Sequence, residues 1–166
     1  RARDLLLQGA NGSMSQTDRD AIADELDQLA DSIKTAGNTQ YAGSYIFAGA
    51  KTSTQPFAVG GADTYNGDTT TINREIGQGV TVPVNVTGDT VVSPVLAAIR
   101  QAAVDLRAGG NPSNLGTTDL NALDTASDNI SETQAVVGAR ENRLASALSR
   151  LQQINVAQSQ QLSDTE

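Results

Sequence analysis

Four aspartates recur at helical spacing near the start of the chain and are its clearest candidates for chemistry: Asp20, Asp24, Asp27 and Asp31. Hard divalent cations bind carboxylate oxygens, so this stripe is a candidate cation site. Such a cation needs about six to eight oxygens around it, which one straight helix cannot supply. The chain also has no Asp-x-Asp-x-Asp-Gly loop. We therefore predict that the stripe faces solvent or a partner and holds no metal.

Two glycine-rich stretches match cofactor-binding loops only in part. Gly49-Ala50-Lys51-Thr52 lacks the glycine that a phosphate-binding loop places directly before its lysine, because Ala50 stands there. After Gly77-Gln78-Gly79, Val82 stands where a dinucleotide fingerprint needs its third glycine. We interpret the first stretch as a structural turn and the second as a hairpin, and we predict no cofactor.

The composition removes most catalytic machinery. Among 166 residues there is no His, Cys or Trp, and the aromatic residues are three Tyr and two Phe. This excludes a Ser-His-Asp or Cys-His set, disulfides, and zinc sites built from imidazole or thiolate. A glycosidase would need aromatic platforms for sugar rings beside its paired carboxylates, and the chain has no Trp to provide them. We predict no catalytic residues and no enzyme.

The charge balance argues against polyanionic partners. The chain carries 19 acidic and 11 basic residues, for a formal net charge of -8. Neutralising a phosphate backbone requires clustered Lys and Arg, so we predict no nucleic-acid partner. No run of residues approaches the roughly 20 apolar residues that cross a bilayer, so we predict no membrane partner.

The aspartate stripe needs a helix to position it. Ser15-x-x-Asp18 has the form of a capping box, and Asn11-Gly12-Ser13 breaks an earlier helix over residues 1 to about 10. A helix is therefore predicted from about 16 to 36. Its apolar seam has the same spacing as the aspartates: Ile22, Leu26, Leu29 and Ile33. Each aspartate precedes a seam residue by two, which is about 200° of helical rotation, so the carboxylates should lie nearly opposite the buried face.

The middle of the chain shows strand and turn patterns. The stretch 39–49 combines glycines with bulky apolar residues, which predicts a turn or short strands. From 56 to 92 the period is two, and the valines of Val80–Val86 alternate with polar residues and a proline. Alternation predicts a strand buried on one face, and the proline marks an edge. With turn signals at Asn66-Gly67 and Gly77-Gln78-Gly79, we predict a small antiparallel meander.

Two further helices are predicted. Ser93-Pro94 is typical of a cap followed by the first helical residue, and the pattern continues from 94 to about 108, ending at Gly109-Gly110 before a loop from Asn111-Pro112 to Gly116. From about 118 to beyond 162, apolar residues recur every seven positions: Leu123, Ile130, Val137, Leu144 and Leu151.

The heptad period predicts a rod about 65 to 70 Å long. The neighbouring heptad position is mostly polar, and Gly138 weakens the middle of the helix, so a stand-alone coiled coil would be poor. We expect this helix to pack against the 16–36 and 94–108 helices.

These patterns predict a mainly α fold with a small β part (α+β). Residues 1–55 and 93–166 would form a helical rod domain, and residues 56–92 a β-rich insert. The chain begins at Arg1 without Met, and its helical pattern still runs near residue 166, so we interpret it as the middle of a longer protein.

The ordered motifs resemble one protein family. The first is similar to the helical core of bacterial flagellins and their hook-associated relatives: Arg1-x-Arg3-Asp4-Leu5-x-x-Gln8-x-Ala10-Asn11-Gly12, then Asp18, Ile22 and Glu25-Leu26. The next is similar to the flagellar hook-associated protein 3 (FlgL) family and separates it from flagellin: Asn38-Thr39-Gln40-Tyr41-x-Gly43-x-Tyr45-Ile46-Phe47-Ala48-Gly49, Thr52, Thr54 and Pro56-Phe57. Further similarity to that family lies in Tyr65-Asn66-Gly67-Asp68, Ile76-Gly77, Asn85-Val86-Thr87-Gly88 and Val137–Leu144.

This resemblance implies a flagellin-like bundle of long helices and a structural role at the hook-filament junction. The implied partners are hook-associated protein 1, flagellin, further copies of the chain in a ring, and a flagellar export chaperone. The resemblance also implies secretion through the flagellar export apparatus to an extracellular place in the bacterial flagellum. In the family the extreme terminal segments build the inner tube, so a core without them is expected to be monomeric.

Other functions stay open at this point. A flagellin would polymerise by itself into long filaments. A coiled-coil adhesin or a secreted toxin component would share the heptad helix without flagellar partners. An enzyme would require a pocket with strongly perturbed carboxylates.

Overall fold

The computed structural model describes residues 1–108 and 114–163. In chain order its helices and strands are α1 (Ala2–Gly9), α2 (Gln16–Gly37), β1 (Gln40–Tyr41), β2 (Ser44–Tyr45), β3 (Asn73–Gly77), β4 (Val80–Pro83), α3 (Gly88–Arg107), a π-helix (Leu115–Asp119) and α4 (Leu120–Ser163). The predicted α+β class is confirmed. The predicted helix end at Gly109-Gly110 and the predicted loop start at Asn111-Pro112 lie outside the described residues.

Helix α2 begins where its sequence predicts. The Ser15 hydroxyl accepts a hydrogen bond from the Asp18 backbone N–H, and the Asp18 carboxylate accepts one from the Ser15 backbone N–H. This reciprocal pair satisfies amide groups that the first turn of a helix cannot bond internally.

The buried face of α2 differs from the predicted seam. Ala23 and Ala30 are fully buried like Leu26, whereas Leu29 and Ile33 are only partly buried. The prediction considered only large side chains, but alanines let two helices approach closely. The true buried face is therefore rotated roughly 50° toward the aspartates.

Helices α2 and α3 form the main packing interface, and α1 closes one end of it. Gly9 of α1 lies so close to Leu106 that an added Cβ would be 2.5 Å from its Cδ2 atom. The core consists mainly of Leu, Ile, Val and Ala, including Leu5, Leu6, Ile22, Leu26, Leu96, Ile99, Ala102 and Leu106.

The meander predicted for 56–92 is reduced to one antiparallel pair and an isolated bridge, and a second pair forms in 39–49, where a turn or short strands were predicted. Strands β1 and β2 form a tight turn, and β3 pairs with β4 across the predicted Gly77-Gln78-Gly79 turn. Of the alternating valines only Val82 is fully buried, and the strand ends at Pro83. Asn66-Gly67 forms no turn between strands; it follows an isolated bridge between Phe57 and Tyr65.

Helix α3 starts earlier than predicted, with Thr87 as its N-cap and Gly88 as its first residue. Pro94 therefore lies inside the helix, where its missing N–H leaves one backbone bond unmade. Tertiary packing outweighs this local signal, because Gly88 lies against the rings of Phe57 and Tyr65.

Helix α4 has 44 residues and is about 65 Å long. It packs mainly against α3, α1 and the π-helix, so the predicted packing against the 94–108 helix is confirmed, whereas α2 is not one of its main partners in the described part of the chain. Leu123 and Ala126 are its buried residues, and the later heptad residues Leu144 and Leu151 are 38% and 53% exposed. No described helix combines the length and apolar character needed to cross a membrane.

Candidate functional site

The aspartate stripe meets two arginines of α3. Arg100 donates hydrogen bonds to Asp27 and Asp31, with both nitrogen–oxygen distances 2.6 Å. Arg107 donates to Asp24 and Asp27, with both distances 2.7 Å. We call these five residues, together with Lys34 and Asp63, the acid–arginine network. It connects α2 to α3 along one edge of their interface.

The prediction that these aspartates face solvent or a partner is wrong for Asp27, whose side chain is 30% exposed. Asp31 and Asp24 stay more open, at 62% and 70%. The stripe borders the buried face because that face includes Ala23 and Ala30. A signal for this pairing was present, since Arg100 and Arg107 lie seven residues apart on the α3 sequence.

The network extends to the loop that precedes β3. The Lys34 side chain is 2% exposed, and its Nζ atom lies 2.5 Å from an Asp63 carboxylate oxygen and donates to the Gly61 carbonyl at 2.9 Å. Arg100 reaches the other Asp63 oxygen at 2.7 Å. A lysine on a predicted helix gave no sequence signal that it would be buried. Its contacts fix residues 61–63 against α2 and α3.

The arginines and the lysine control the charge state of the aspartates. Burial alone would raise the pKa of Asp27, but hydrogen bonds from Arg100 and Arg107 outweigh it and lower that pKa. Burial would also raise the pKa of Asp63, but hydrogen bonds from Arg100 and Lys34 outweigh it and lower that pKa. Within the described ranges no three His, Cys, Asp or Glu side chains are placed to hold a metal ion. Asp24, Asp27 and Asp31 of the stripe therefore form ion pairs, and Asp20 accepts a hydrogen bond from the Gln16 side chain at 2.8 Å.

The stretch Gly49–Thr52 forms a turn that lies against the carboxylate of Asp68. The Ala50 backbone N–H donates to Asp68 Oδ1 at 2.8 Å, and Thr70 N–H donates to the same oxygen at 3.0 Å. These two backbone bonds lower the pKa of Asp68. Gly49 has φ +66, and an added Cβ would clash with the Asp68 carbonyl oxygen. The amide of Ala50 is thus already bonded within the fold.

The Gly77-Gln78-Gly79 stretch turns the chain between β3 and β4. Gly79 has φ +72, and its backbone N–H donates to the Glu75 carboxylate at 2.9 Å. A positive φ suits glycine because it has no Cβ. This stretch works as the hairpin turn of the β3–β4 pair.

The motif between residues 38 and 57 is held by reciprocal hydrogen bonds. Asn38 Nδ2 donates to the Phe57 carbonyl at 2.7 Å, and Phe57 N–H donates to Asn38 Oδ1 at 2.9 Å. The Phe57 ring is fully buried between Gly37 and Gly88. A Cβ added to Gly37 would lie 3.0 Å from this ring, and one added to Gly88 would lie 2.9 Å from it. Asn38 and Phe57 of this motif are therefore packing residues, whereas Tyr41 and Ile46 are exposed.

Tyr65 completes this cluster. Its single O–H is shared between two acceptors, the backbone carbonyls of Phe47 and Asp68, and each oxygen–oxygen distance is 2.8 Å. Burial and the charges of Asp68 and Asp89 raise the pKa of Tyr65, so the hydroxyl keeps its proton at neutral pH. The cluster joins the β1–β2 turn, the loop before β3 and the start of α3.

The carboxyl-terminal half of α4 presents an uncovered apolar face. The exposed large residues of this face are Leu144, Leu148, Leu151, Ile154 and Leu162, whereas the exposed Val156 lies nearly opposite Ile154 on the helix. Two shallow grooves of about 590 Å³ run between α4 and the β part. One lies beside Ile76, Val80, Leu151 and Ile154, and the other beside Tyr41, Ile46, Val84 and Leu144. This face is the described surface best suited to contact another helix or protein.

The chain is similar in sequence to flagellar proteins. Residues 1–52 match the bacterial flagellin N-terminal helical region. Flagellar hook-associated protein 3 of Escherichia coli (strain K12) is 25% identical over 195 residues, which cover 98% of this chain and 59% of that protein. The chain thus spans about three fifths of the length of this relative.

Solved structures show the same fold. The crystal structure of Bacillus cereus FlgL has a TM-score of 0.74 at 27% identity, covering 95% of this chain and 76% of that chain. The structure of a flagellar hook-associated protein from Vibrio parahaemolyticus has a TM-score of 0.83 at 26% identity. The match covers 98% of this chain and 76% of that chain. The chain is FlgL-like in sequence and fold. This resemblance confirms the prediction of a structural chain that is not an enzyme.

Proposed function

We propose that this FlgL-like chain is the core of a structural subunit of the bacterial flagellum, and that the subunit forms the junction between the hook and the flagellin filament. Its partners there are hook-associated protein 1, flagellin and further copies of itself in a ring. A flagellar export chaperone accompanies it before secretion through the flagellar export apparatus, and its final place is extracellular.

The observation that carries this proposal is the uncovered apolar face of α4. Large side chains such as Leu148 and Leu162 are 58% and 69% exposed. Exposed contiguous apolar surface marks a site of contact with other protein segments. A structural subunit uses such surface to assemble, whereas an enzyme needs a pocket with perturbed catalytic groups.

The rigid body behind that face supports the same role. The acid–arginine network fixes α2 to α3, and the Phe57–Tyr65 cluster fixes the β part to both. We propose that residues 1–55 and 93–166 act as a helical rod domain and residues 56–92 as an insert. A subunit between two different materials must present distinct surfaces toward each of them, and a rigid rod can do so.

A complementation experiment tests the junction role. The full-length protein that contains this chain is expressed in a strain that lacks its own hook-associated protein 3, and motility and filaments are scored by swimming assays and electron microscopy. We expect filaments to return on existing hooks. A matched variant, Leu148→Asp with Leu151→Asp, should fold but fail, because it places charge on the uncovered face. Bare hooks with the wild-type protein would contradict the proposal.

The resemblance to the flagellin N-terminal region favours one alternative, a filament subunit. The purified full-length protein would then form long filaments by itself. If it does so while hooks stay bare in the complementation strain, the chain is a flagellin. We expect no such self-polymerisation. A core without the terminal segments should also sediment as a monomer.

A further inference from the structure

Two asparagine–glycine pairs occur in the chain, and the structure places them in different surroundings. Asn11-Gly12 lies in the loop between α1 and α2, and Asn66-Gly67 lies in the loop before β3. Both asparagine side chains are exposed. An asparagine before a glycine is open to attack by the next backbone nitrogen on its side-chain amide carbon, because glycine has no Cβ and a five-membered ring closes easily. Since exposure does not separate the two pairs, their contacts decide which one reacts.

The side-chain carbonyl of Asn11 is held by two donors from Ser13. The Ser13 backbone N–H donates to Asn11 Oδ1 at 3.2 Å, and the Ser13 hydroxyl donates to the same oxygen at 2.9 Å. This oxygen becomes negative when the Gly12 nitrogen attacks the carbon that carries it. Donors already placed at an oxygen that gains charge lower the barrier to attack. Ser13 is therefore positioned to assist ring closure.

The backbone around Asn11-Gly12 has room to bring the reacting atoms together. An added Cβ at Gly12 would meet nothing within 4 Å beyond its own chain neighbours. The turn is held by local bonds, in which the Asn11 N–H donates to the Gln8 carbonyl and the Asn11 carbonyl accepts from the Met14 N–H. These bonds join residues three positions apart, so the turn can change its backbone angles without separating α1 from α3.

Asn66-Gly67 is fixed by distant parts of the chain. The Asn66 N–H donates to the Pro56 carbonyl at 2.8 Å, and the N–H of the residue after Gly67 donates to the Ala48 carbonyl at 3.1 Å. A Cβ added to Gly67 would clash with the Tyr65 hydroxyl. Rotation of the peptide group between Asn66 and Gly67 would break this packing, so the fold keeps the second pair from the geometry of attack.

We propose that Asn11 is a self-modification site, where the folded chain converts the asparagine to aspartate or isoaspartate while Asn66 stays intact. The Gly12 nitrogen gives its proton to solvent hydroxide and bonds to the Asn11 side-chain carbon. The side-chain nitrogen then takes a proton from water and leaves as ammonia. Water opens the resulting ring at either carbonyl, and no electrons are transferred. This inference does not depend on the proposed flagellar role.

The isoaspartate product changes the connection between α1 and α2. Its main chain runs through the former side chain and is one carbon longer. The backbone bonds from Asn11 to Gln8 and from Met14 to Asn11 then cannot both keep their geometry. Because these bonds join the end of α1 to the approach to α2, hydrogen exchange in α1 should be faster in the isoaspartate form than in the unreacted protein.

Incubation of the folded protein at mildly alkaline pH tests the proposal. Trypsin leaves the two pairs on separate peptides, 4–19 and 52–74, and mass spectrometry follows the replacement of –NH₂ by –OH in each. Peptide 4–19 should react about tenfold faster or more, because only the second pair is restrained by the fold. In urea the two rates should become similar. Equal rates in the folded protein, or faster reaction at Asn66, would overturn the proposal.

Two variants test the parts of the site, with the Asn66 peptide as an internal control. Ser13→Ala removes one of the two donors, so reaction at Asn11 should slow by about fivefold, the rate equivalent of one hydrogen bond. This difference should vanish in urea, where the turn is not formed. Gly12→Ala fits the open space but hinders the attack, so it should slow the reaction in the folded protein and in urea. An unchanged rate in folded Ser13→Ala would overturn the assistance by Ser13.

Discussion

The acid–arginine network and the buried carboxyl group of Asp119 place the same kind of side chain in two opposite environments. In the network, Asp27 and Asp63 are partly buried beside cations, and their pKa values are lowered. At the base of α4, Asp119 is buried beside another acid, and its pKa is raised. Burial acts in the same direction on all three groups, so the neighbouring charge decides the result. The first region should be weakened by acid and the second strengthened by it.

Removing the central cation should give the largest effect. Arg100→Met leaves Asp27, Asp31 and Asp63 without their shared partner, so the free energy of unfolding should fall by about 2 kcal/mol, less than for a fully buried pair because the Arg100 side chain is 29% exposed. Urea denaturation measures this change.

The matched control for Arg100 is Arg74→Met, at an exposed position on β3. It should change stability by less than about 0.5 kcal/mol. Equal losses from the two variants would show that the network contributes nothing specific.

Lys34→Met should give a smaller loss of about 1 to 2 kcal/mol. Met fills the buried space, but the Gly61 carbonyl loses its donor and Asp63 keeps only Arg100. Urea denaturation of Lys34→Met and of the exposed control Lys51→Met gives the difference. If Lys51→Met is as destabilising, burial of Lys34 is not the cause.

Acid should separate the two regions by the direction of their pH dependence. The stability from Asp27 and Asp63 is present above 3.8, and it is lost as pH falls from that value through their lowered pKa values. Unfolding measured between pH 2 and pH 5 should show this loss in the wild-type chain and a flatter profile in Arg100→Met. An unchanged profile in the variant would assign the acid sensitivity to other carboxylates.

The smallest effect is expected at an exposed ion pair. Arg3 and Asp124 are 54% and 44% exposed, so Arg3→Ala should cost less than about 1 kcal/mol, and high salt should reduce the cost further. Denaturation at low and high salt measures both. A loss as large as that of Arg100→Met would mean that burial does not distinguish the network from a surface pair.

The sequence predicted the helices best where their own side chains set the boundaries. The Ser15 and Asp18 capping box fixed the start of α2 through bonds three residues apart, and the heptad of Leu123 to Leu151 predicted the long α4. These signals are local, so they can be read without knowing any neighbour. Ser93-Pro94 misled for the same reason, because packing of Gly88 against Phe57 and Tyr65 outweighed it.

The candidate site was predicted less well, because its properties come from contacts between distant segments. The spacing of Asp24, Asp27 and Asp31 showed that they share a helix face, but the small residues Ala23 and Ala30 turned that face toward α3. The burial of Lys34 and Asp119 gave no periodic signal. Both depend on loops or turns that fold back onto the helices.

The amino-acid sequence by itself determined the element types, the absence of His and Cys chemistry, and the motif order that resembles the flagellar proteins. The tertiary structure decided which charges meet, which apolar residues stay uncovered on α4, and in which direction the pKa of each partly buried carboxyl group moves. Periodicity and capping act over a few residues along one helix. The pKa of a carboxyl group depends instead on burial and on charges brought near it in space, and only the packed chain defines these.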